Sequence, residues 1–202
     1  MKEYELSGRE QEQDILFGVI NRFIGYFTRR VVSATSNDTS CEYPFVAMDT
    51  RQAYEQIRLA RSFLVKSGKD MVQVSFIDIG CGIGNILLLA EMMEFSVYGI
   101  EKDKASLSIA RSLVGDGCVS QEDIWEFNQL GAYDVVYYFR PFCTEEMQVK
   151  FEHLIEEQLK QGGILIANRK MDASIDTDPR FCRLDPVWPV WLKKKTVHFS
   201  DK

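Results

Sequence analysis

From Met71 onward the chain alternates short apolar runs with longer amphipathic stretches, and this alternation constrains its fold more than any other feature. The runs VQVSFIDI, SVYGIE, GCVS, YDVVYYF and GILIA read as strands, with ASLSIARSL and MQVKFEHLIEEQL among the helices between them. Strands joined through helices run parallel, and a parallel sheet needs cover on both faces. The pattern therefore predicts an α/β sandwich of three layers. In the last helix Met147, Phe151, Leu154, Ile155 and Leu159 share one face. Thr144 is its expected N-cap, and Glu145 and Glu146 suit the positive end of its dipole. His153 falls on the other face, as a solvated histidine.

Two further helices are expected before Met71. From about Arg9 to Val32, Ile15, Leu16, Val19, Ile20, Phe23, Ile24 and Phe27 recur at helical spacing, and a second helix spans about Asp49 to Val65. Between them Ser33 to Ser40 reads as loop, because its Ser, Thr, Asn and Asp compete for backbone hydrogen bonds. Residues 1–70 are thus expected to be a helical extension packed on a core formed by 71–202, in one structural domain overall.

The formal net charge of −6 disfavours nucleic acid and anionic membranes as partners. Cys41, Cys81, Cys118, Cys143 and Cys182 are scattered, with no C-x-x-C pair and no metal-ligand spacing, so no metal is expected and a reducing cytoplasm suits them. The start MKEYELSGRE is polar, and the longest apolar run, Ile86 to Ala90, is too short to span a bilayer. Cytoplasmic location is the expectation.

The stretch FIDIGCGIGN, Phe76 to Asn85, joins the first strand to a helix through Gly80, Gly82 and Gly84. Such a turn lets a ligand approach closely, and backbone amides at the helix start are expected to receive it. A dinucleotide fingerprint would place Gly or Ala where Asn85 stands, and the negative charge of Asp78 disfavours a pyrophosphate. S-adenosylmethionine carries an ammonium and a sulfonium instead, and a carboxylate beside the turn suits it.

FIDIGCGIGN, together with VYGIEKD at Val97–Asp103 and SQEDIWEF at Ser120–Phe127, resembles the successive motifs of the class I, Rossmann-like S-adenosylmethionine-dependent methyltransferases over about half the chain. The resemblance implies a mostly parallel seven-stranded sheet with an antiparallel C-terminal edge strand. RFCRL and VWLKKKTV would form that edge pair, with Pro186 and Pro189 in the connection. It also implies that Gly80, Cys81, Gly82 and Gly84 wrap the methionine end of the cofactor, with Asp78 beside its amino group. Glu101 would take both ribose hydroxyls, for which a carboxylate has the lone pairs. Asp123 and Ile124 would contact adenine, although Asp123 equally suits a helix N-cap.

The end of the fourth strand, YDVVYYFRPF, is where such enzymes distinguish acceptors, and its side chains face the crevice of a parallel sheet. Phe139, Arg140, Pro141 and Phe142 keep only Pro141 and Phe142 of the pattern found in amino-methylating nucleic-acid enzymes, which disfavours a base as acceptor. Phe139 is expected beside the cofactor. Arg140 calls for an acidic group, on a substrate or on a flanking side chain. Tyr137 and Tyr138 alternate, so at most one faces the crevice. Tyr138 and Arg140 are the candidates for a catalytic role, since His153 and His198 are the only histidines. Trp188 and Trp191 fit packing or an acceptor pocket, and Lys193, Lys194 and Lys195 fit protection of an edge strand or a grip on phosphate.

The expected acceptor is a small molecule or a protein side chain. Two other classes remain, a cofactor-binding partner protein without catalysis and a dinucleotide-dependent oxidoreductase.

Overall fold

A computed structural model describes residues 7–35 and 37–195. The strands are β1 (Ser75–Ile79), β2 (Ser96–Ile100), β3 (Val119–Ser120), β4 (Val135–Phe139), β5 (Ile164–Asn168), β6 (Phe181–Arg183) and β7 (Val190–Lys193). They form one sheet in the order β3-β2-β1-β4-β5-β7-β6. The strands from β3 to β5 pair in parallel, and β7 runs antiparallel to both β5 and β6. This is the Rossmann-like sheet expected, with the antiparallel pair at one edge.

The period of two along each strand divides the core. Phe76, Val135, Tyr137, Ile164 and Ile166 join one apolar cluster with helices α1 (Gly8–Ala34), α2 (Thr50–Lys66), α3 (Asn85–Glu91) and α4 (Lys104–Val114). Ile77, Val136, Tyr138, Leu165 and Trp191 face the other way, toward Phe151 and Ile155 of α5 (Glu145–Gln158). Burial of these side chains is the main term that holds the layers together.

Several elements depart from their expected limits or contacts. α1 starts in a capping box between Ser7 and Glu10 and continues through Ser33 and Ala34, so the loop begins at Thr35. Its buried line is Phe17, Ile20, Ile24 and Val31, whereas Ile15 and Val19 face solvent at 70% and 61% exposure. The helix packs through a narrower stripe than its apolar residues span. β1 begins only at Ser75, because Asp70 caps a 3-10 turn at Met71–Gln73 and leaves Val72 exposed. Thr144 stands at the N-cap of α5 but makes no side-chain cap bond. Leu154 and Met147 are only half-buried, and α5 buries Gln148 and Glu152 in full. His153 is exposed and pairs with Asp172 at 2.6 Å.

β7 is not the sheet's edge, since β6 covers it. Lys193 is consequently no edge guard. It is buried, and its Nζ donates to the carbonyl oxygens of Glu156 at 2.7 Å and Glu157 at 3.0 Å, completing the C-terminal end of α5. Trp191 is buried in the core with its Nε1 donating to Asp176 at 2.8 Å. His198, Thr196 and Val197 lie outside the described residues. No helix among the described residues is long and apolar enough to cross a membrane.

Replacing Lys193 with Ala leaves two carbonyls at a buried helix end without a charged donor. The expected loss is about 2 kcal/mol of unfolding free energy, read as a lower urea midpoint. An unchanged midpoint would show that the ammonium contributes nothing net.

Candidate functional site

The carboxyl ends of β1, β2 and β4 open into a cavity of about 300 Å³. A crevice at this place follows from the topology, because the crossovers after β1 and β4 leave in opposite directions. The chain between α1 and α2 runs over it as a strap. Tyr43 N donates to the Pro141 carbonyl at 3.0 Å, Cys143 N donates to the Cys41 carbonyl at 3.0 Å, and Glu42 bridges to Phe142. Phe45 presses on the glycine turn so closely that a Cβ on Gly82 would lie 2.3 Å from its ring.

Gly80, Gly82 and Gly84 all have positive φ, which admits glycine without strain. The amides of Gly80, Cys81, Gly82 and Gly84 are engaged within the fold, whereas the helix-start amides of Asn85, Ile86 and Leu87, where a ligand was expected, have no acceptor among the described residues. Gly80 N and Cys81 N donate to the Ile100 carbonyl, Gly84 N to the Cys81 carbonyl, and Gly82 N to Glu101 Oε2 at 2.8 Å. The turn is braced internally, and the carboxylates of Asp78 and Glu101 line the cavity beside it.

Glu101 is the brace. Its Oε1 accepts from Asp103 N at 2.7 Å while Oε2 holds Gly82, and each oxygen retains a further lone pair for a ligand. Burial pushes its carboxyl up from the ordinary value, and these backbone donors partly oppose the shift. Asp78, near the end of β1, is buried, and its carboxylate makes no hydrogen bond or ion pair among the described residues. Burial, and then the nearby Glu101, push its carboxyl well above the usual range. The same pressures raise the Cys81 thiol and keep it neutral.

Asp123 lies at the rim. It accepts from Trp125 N at 3.0 Å and pairs with Lys102 at 3.2 Å, and no helix follows it, so it is not the helix cap that its sequence also allowed. Lys102 also reaches Glu42 of the strap at 2.8 Å. Ile124 and Phe139 line the cavity half-buried.

Of the two tyrosines, Tyr137 lines the cavity, and Tyr138 points to the opposite face, with its ring 5.0 Å from that of Phe151. The alternation of β4 thereby removes Tyr138 from the site. Tyr137 is buried with a hydroxyl that has no hydrogen-bond partner of normal geometry. Its neighbour across the sheet is Asp78. Arg140 lines the cavity beside Tyr43, its guanidinium 5.5 Å from that ring, and meets no flanking acidic side chain among the described residues. Trp188 and Trp191 are not among the lining residues.

Sequence reasoning missed Lys102, the strap residues Glu42, Tyr43 and Phe45, and Arg169. The cluster Tyr43, Pro44, Phe45 and Val46 in a non-helical stretch was the available signal, since aromatic side chains in a loop need a surface to cover.

An acid whose pKa rises on folding disfavours the native state at pH above the raised value. That cost fades as pH falls through it toward the ordinary carboxylate value. Asp78→Asn is therefore expected to stabilise the ligand-free protein at pH 7.5 by on the order of 2 kcal/mol, with the gain shrinking in acid. Thermal unfolding of the two proteins across pH measures it, and a destabilised variant at pH 7.5 would show that Asp78 has a partner.

A family model described as a methyltransferase domain matches residues 71–188. No curated protein matches the chain. Among solved structures, the plantazolicin methyltransferase BpumL in complex with SAH is 20% identical over 58% of this chain and 46% of its own, with TM-score 0.47. An RNA methyltransferase from Salinibacter ruber in complex with S-adenosyl-L-homocysteine is 19% identical over 72% of this chain and 97% of its own, with TM-score 0.45. The sugar N-methyltransferase KedS8 from a Streptoalloteichus species is 19% identical over 65% and 52%, with TM-score 0.45. The chain thus spans about half the length of two of these three proteins. With more than half of its residues matched by the family model, the chain belongs to the methyltransferase domain family.

Proposed function

We propose that the protein is an S-adenosylmethionine-dependent methyltransferase acting on a small molecule or a protein side chain. The observation that carries this reading is Asp78, a buried carboxylate without a partner at the floor of the cavity. A site of this kind favours a cationic group, because an ammonium offsets a charge that the fold otherwise leaves uncompensated. The carboxylates of Asp78 and Glu101 line the cavity beside the glycine turn, which supports this ligand over a pyrophosphate-bearing dinucleotide.

In this reading Gly80, Cys81, Gly82 and Gly84 shape the wall at the methionine end, with Asp78 holding the amino group. Glu101 offers its two remaining lone pairs to the ribose diol. Asp123 and Ile124 hold adenine, and Phe139 lies beside the cofactor. When bound, the cofactor supplies an electrophilic methyl group on a sulfonium that leaves as a neutral thioether. The chain's own contribution is alignment and exclusion of water by the strap. Burial, and then Asp78, raise the Tyr137 hydroxyl well above its ordinary pKa, so it stays protonated and holds a proton to donate to a bound ligand. That makes it a positioning residue at this site.

Calorimetric titration with S-adenosylmethionine and S-adenosylhomocysteine tests the reading. Micromolar binding is expected, weakened at least about tenfold in Glu101→Ala and in Asp78→Asn by loss of a charge-assisted contact. Absence of binding by either ligand to the unaltered protein would overturn it.

A further inference from the structure

Charge is unevenly divided around the cavity. The side formed by β1, β2 and β3 carries Asp78, Glu101, Asp103, Glu122 and Asp123, and Lys102 there pairs with Asp123 and with Glu42 of the strap. The side formed by β4 and β5 carries Arg140 and Arg169. Phe139 and Asn168, the last residues of those strands, are register partners, so the two arginines follow one another across adjacent strand ends. Arg140 N donates to the Asn168 carbonyl at 3.2 Å.

Neither guanidinium has an acidic partner within ion-pair distance among the described residues. Arg140 uses Nε and one terminal nitrogen on the carbonyls of Phe142 and Cys143, at 3.3 and 3.4 Å, and its remaining donors are unused. Arg169 lies with its guanidinium 5.8 Å from the Phe139 ring.

Both residues have positive φ, at 20° and 54°, where a non-glycine residue needs its surroundings to hold it. Those surroundings are rigid. Gln148 accepts from Phe142 N at 3.2 Å, and Glu152 accepts from Met171 N at 2.8 Å and Asp172 N at 2.9 Å, so α5 braces the turn after each arginine. Gln56 of α2 exchanges two hydrogen bonds with Asn168, at 2.8 and 3.0 Å, just before Arg169.

We infer that Arg140 and Arg169 form a preorganised anchor for a carboxylate or phosphate group of the methyl acceptor, which is therefore an anionic molecule or an acidic protein segment. The inference rests on the cofactor reading above. The cofactor's own carboxylate is the competing anion. Arg140 lies just beyond the end of β4, and the response of S-adenosylhomocysteine affinity to its replacement separates the two anions.

The test uses the full chain saturated with S-adenosylhomocysteine, titrated with benzoate and phenyl phosphate and, as uncharged counterparts, benzamide and phenol. Arginine Nε–H resonances are followed by NMR. The anions are expected to shift the Arg140 and Arg169 signals and to bind about tenfold more tightly than their counterparts. Arg140→Gln or Arg169→Gln should each remove that preference, Arg140→Lys should keep part of it, and S-adenosylhomocysteine affinity should stay within about twofold. Retained S-adenosylhomocysteine binding also shows that the variants fold.

Equal binding of charged and uncharged probes, or a preference that survives both Gln variants, overturns the inference. So does a tenfold loss of S-adenosylhomocysteine affinity in those variants, which assigns the arginines to the cofactor carboxylate. If the unaltered protein binds no S-adenosylhomocysteine, the cofactor reading itself fails.

Discussion

The Glu101 carboxylate joins two turns, beside the Ile100 carbonyl that accepts from Gly80 N and Cys81 N. One oxygen holds Gly82 in the turn after β1, and the other holds Asp103 at the start of α4. Three left-handed glycines make the first turn conformationally permissive, and a buried acceptor converts that freedom into one shape. Asp103 in turn caps α4 through Ser106 N at 3.2 Å, so the brace extends from the cavity floor into a helix. Gly84 permits α3 and α4 to approach, with Ala110 only 3.2 Å from where a Cβ would stand.

This arrangement places two carboxyl groups, Asp78 and Glu101, in the same buried region, where each is harder to ionise than in water. Folding tolerates that cost because the sheet and helices around them are closely packed. A cationic ligand relieves it, which links the electrostatic weakness of the ligand-free protein to its proposed capacity to bind. A second polar lattice lies on the other side of the sheet. Lys170 pairs with Glu152 at 3.0 Å and Glu156 at 2.8 Å, both from α5, and fixes the loop after β5. Buried ion pairs of this kind contribute little net stability but strongly define geometry.

The strand and helix order was legible because each layer imposes its own period on the chain. The glycine turn and Glu101 were legible because backbone conformation and the end of a strand restrict residue choice locally. Lys193 was misread for a topological reason: three lysines on a terminal strand look like an edge guard, but β6 pairs outside β7 and turns Lys193 toward the end of α5. Ile15 and Val19 were misread because helical spacing shows which residues share a face and not how wide a partner is available. Gln148, Glu152 and Lys170 escape sequence reading, since a buried polar side chain is recognisable only once its partner is known.

By itself the sequence determined the α/β class, the mostly parallel sheet, the position of the glycine turn and the acidic character of the first two strand ends. These depend on periodicity and local backbone demands, which neighbouring residues encode. Tertiary structure alone decided that the amides of Gly80, Cys81, Gly82 and Gly84 are engaged internally, that Tyr137 and not Tyr138 faces the cavity, and that strap residues such as Tyr43 and Phe45 line it. It also set Arg169 beside Arg140, residues 29 positions apart in the chain and adjacent only through the register of β4 and β5. Such relations arise from strand pairing and chain crossing, whose partners lie far apart along the sequence and leave no pattern in either segment alone.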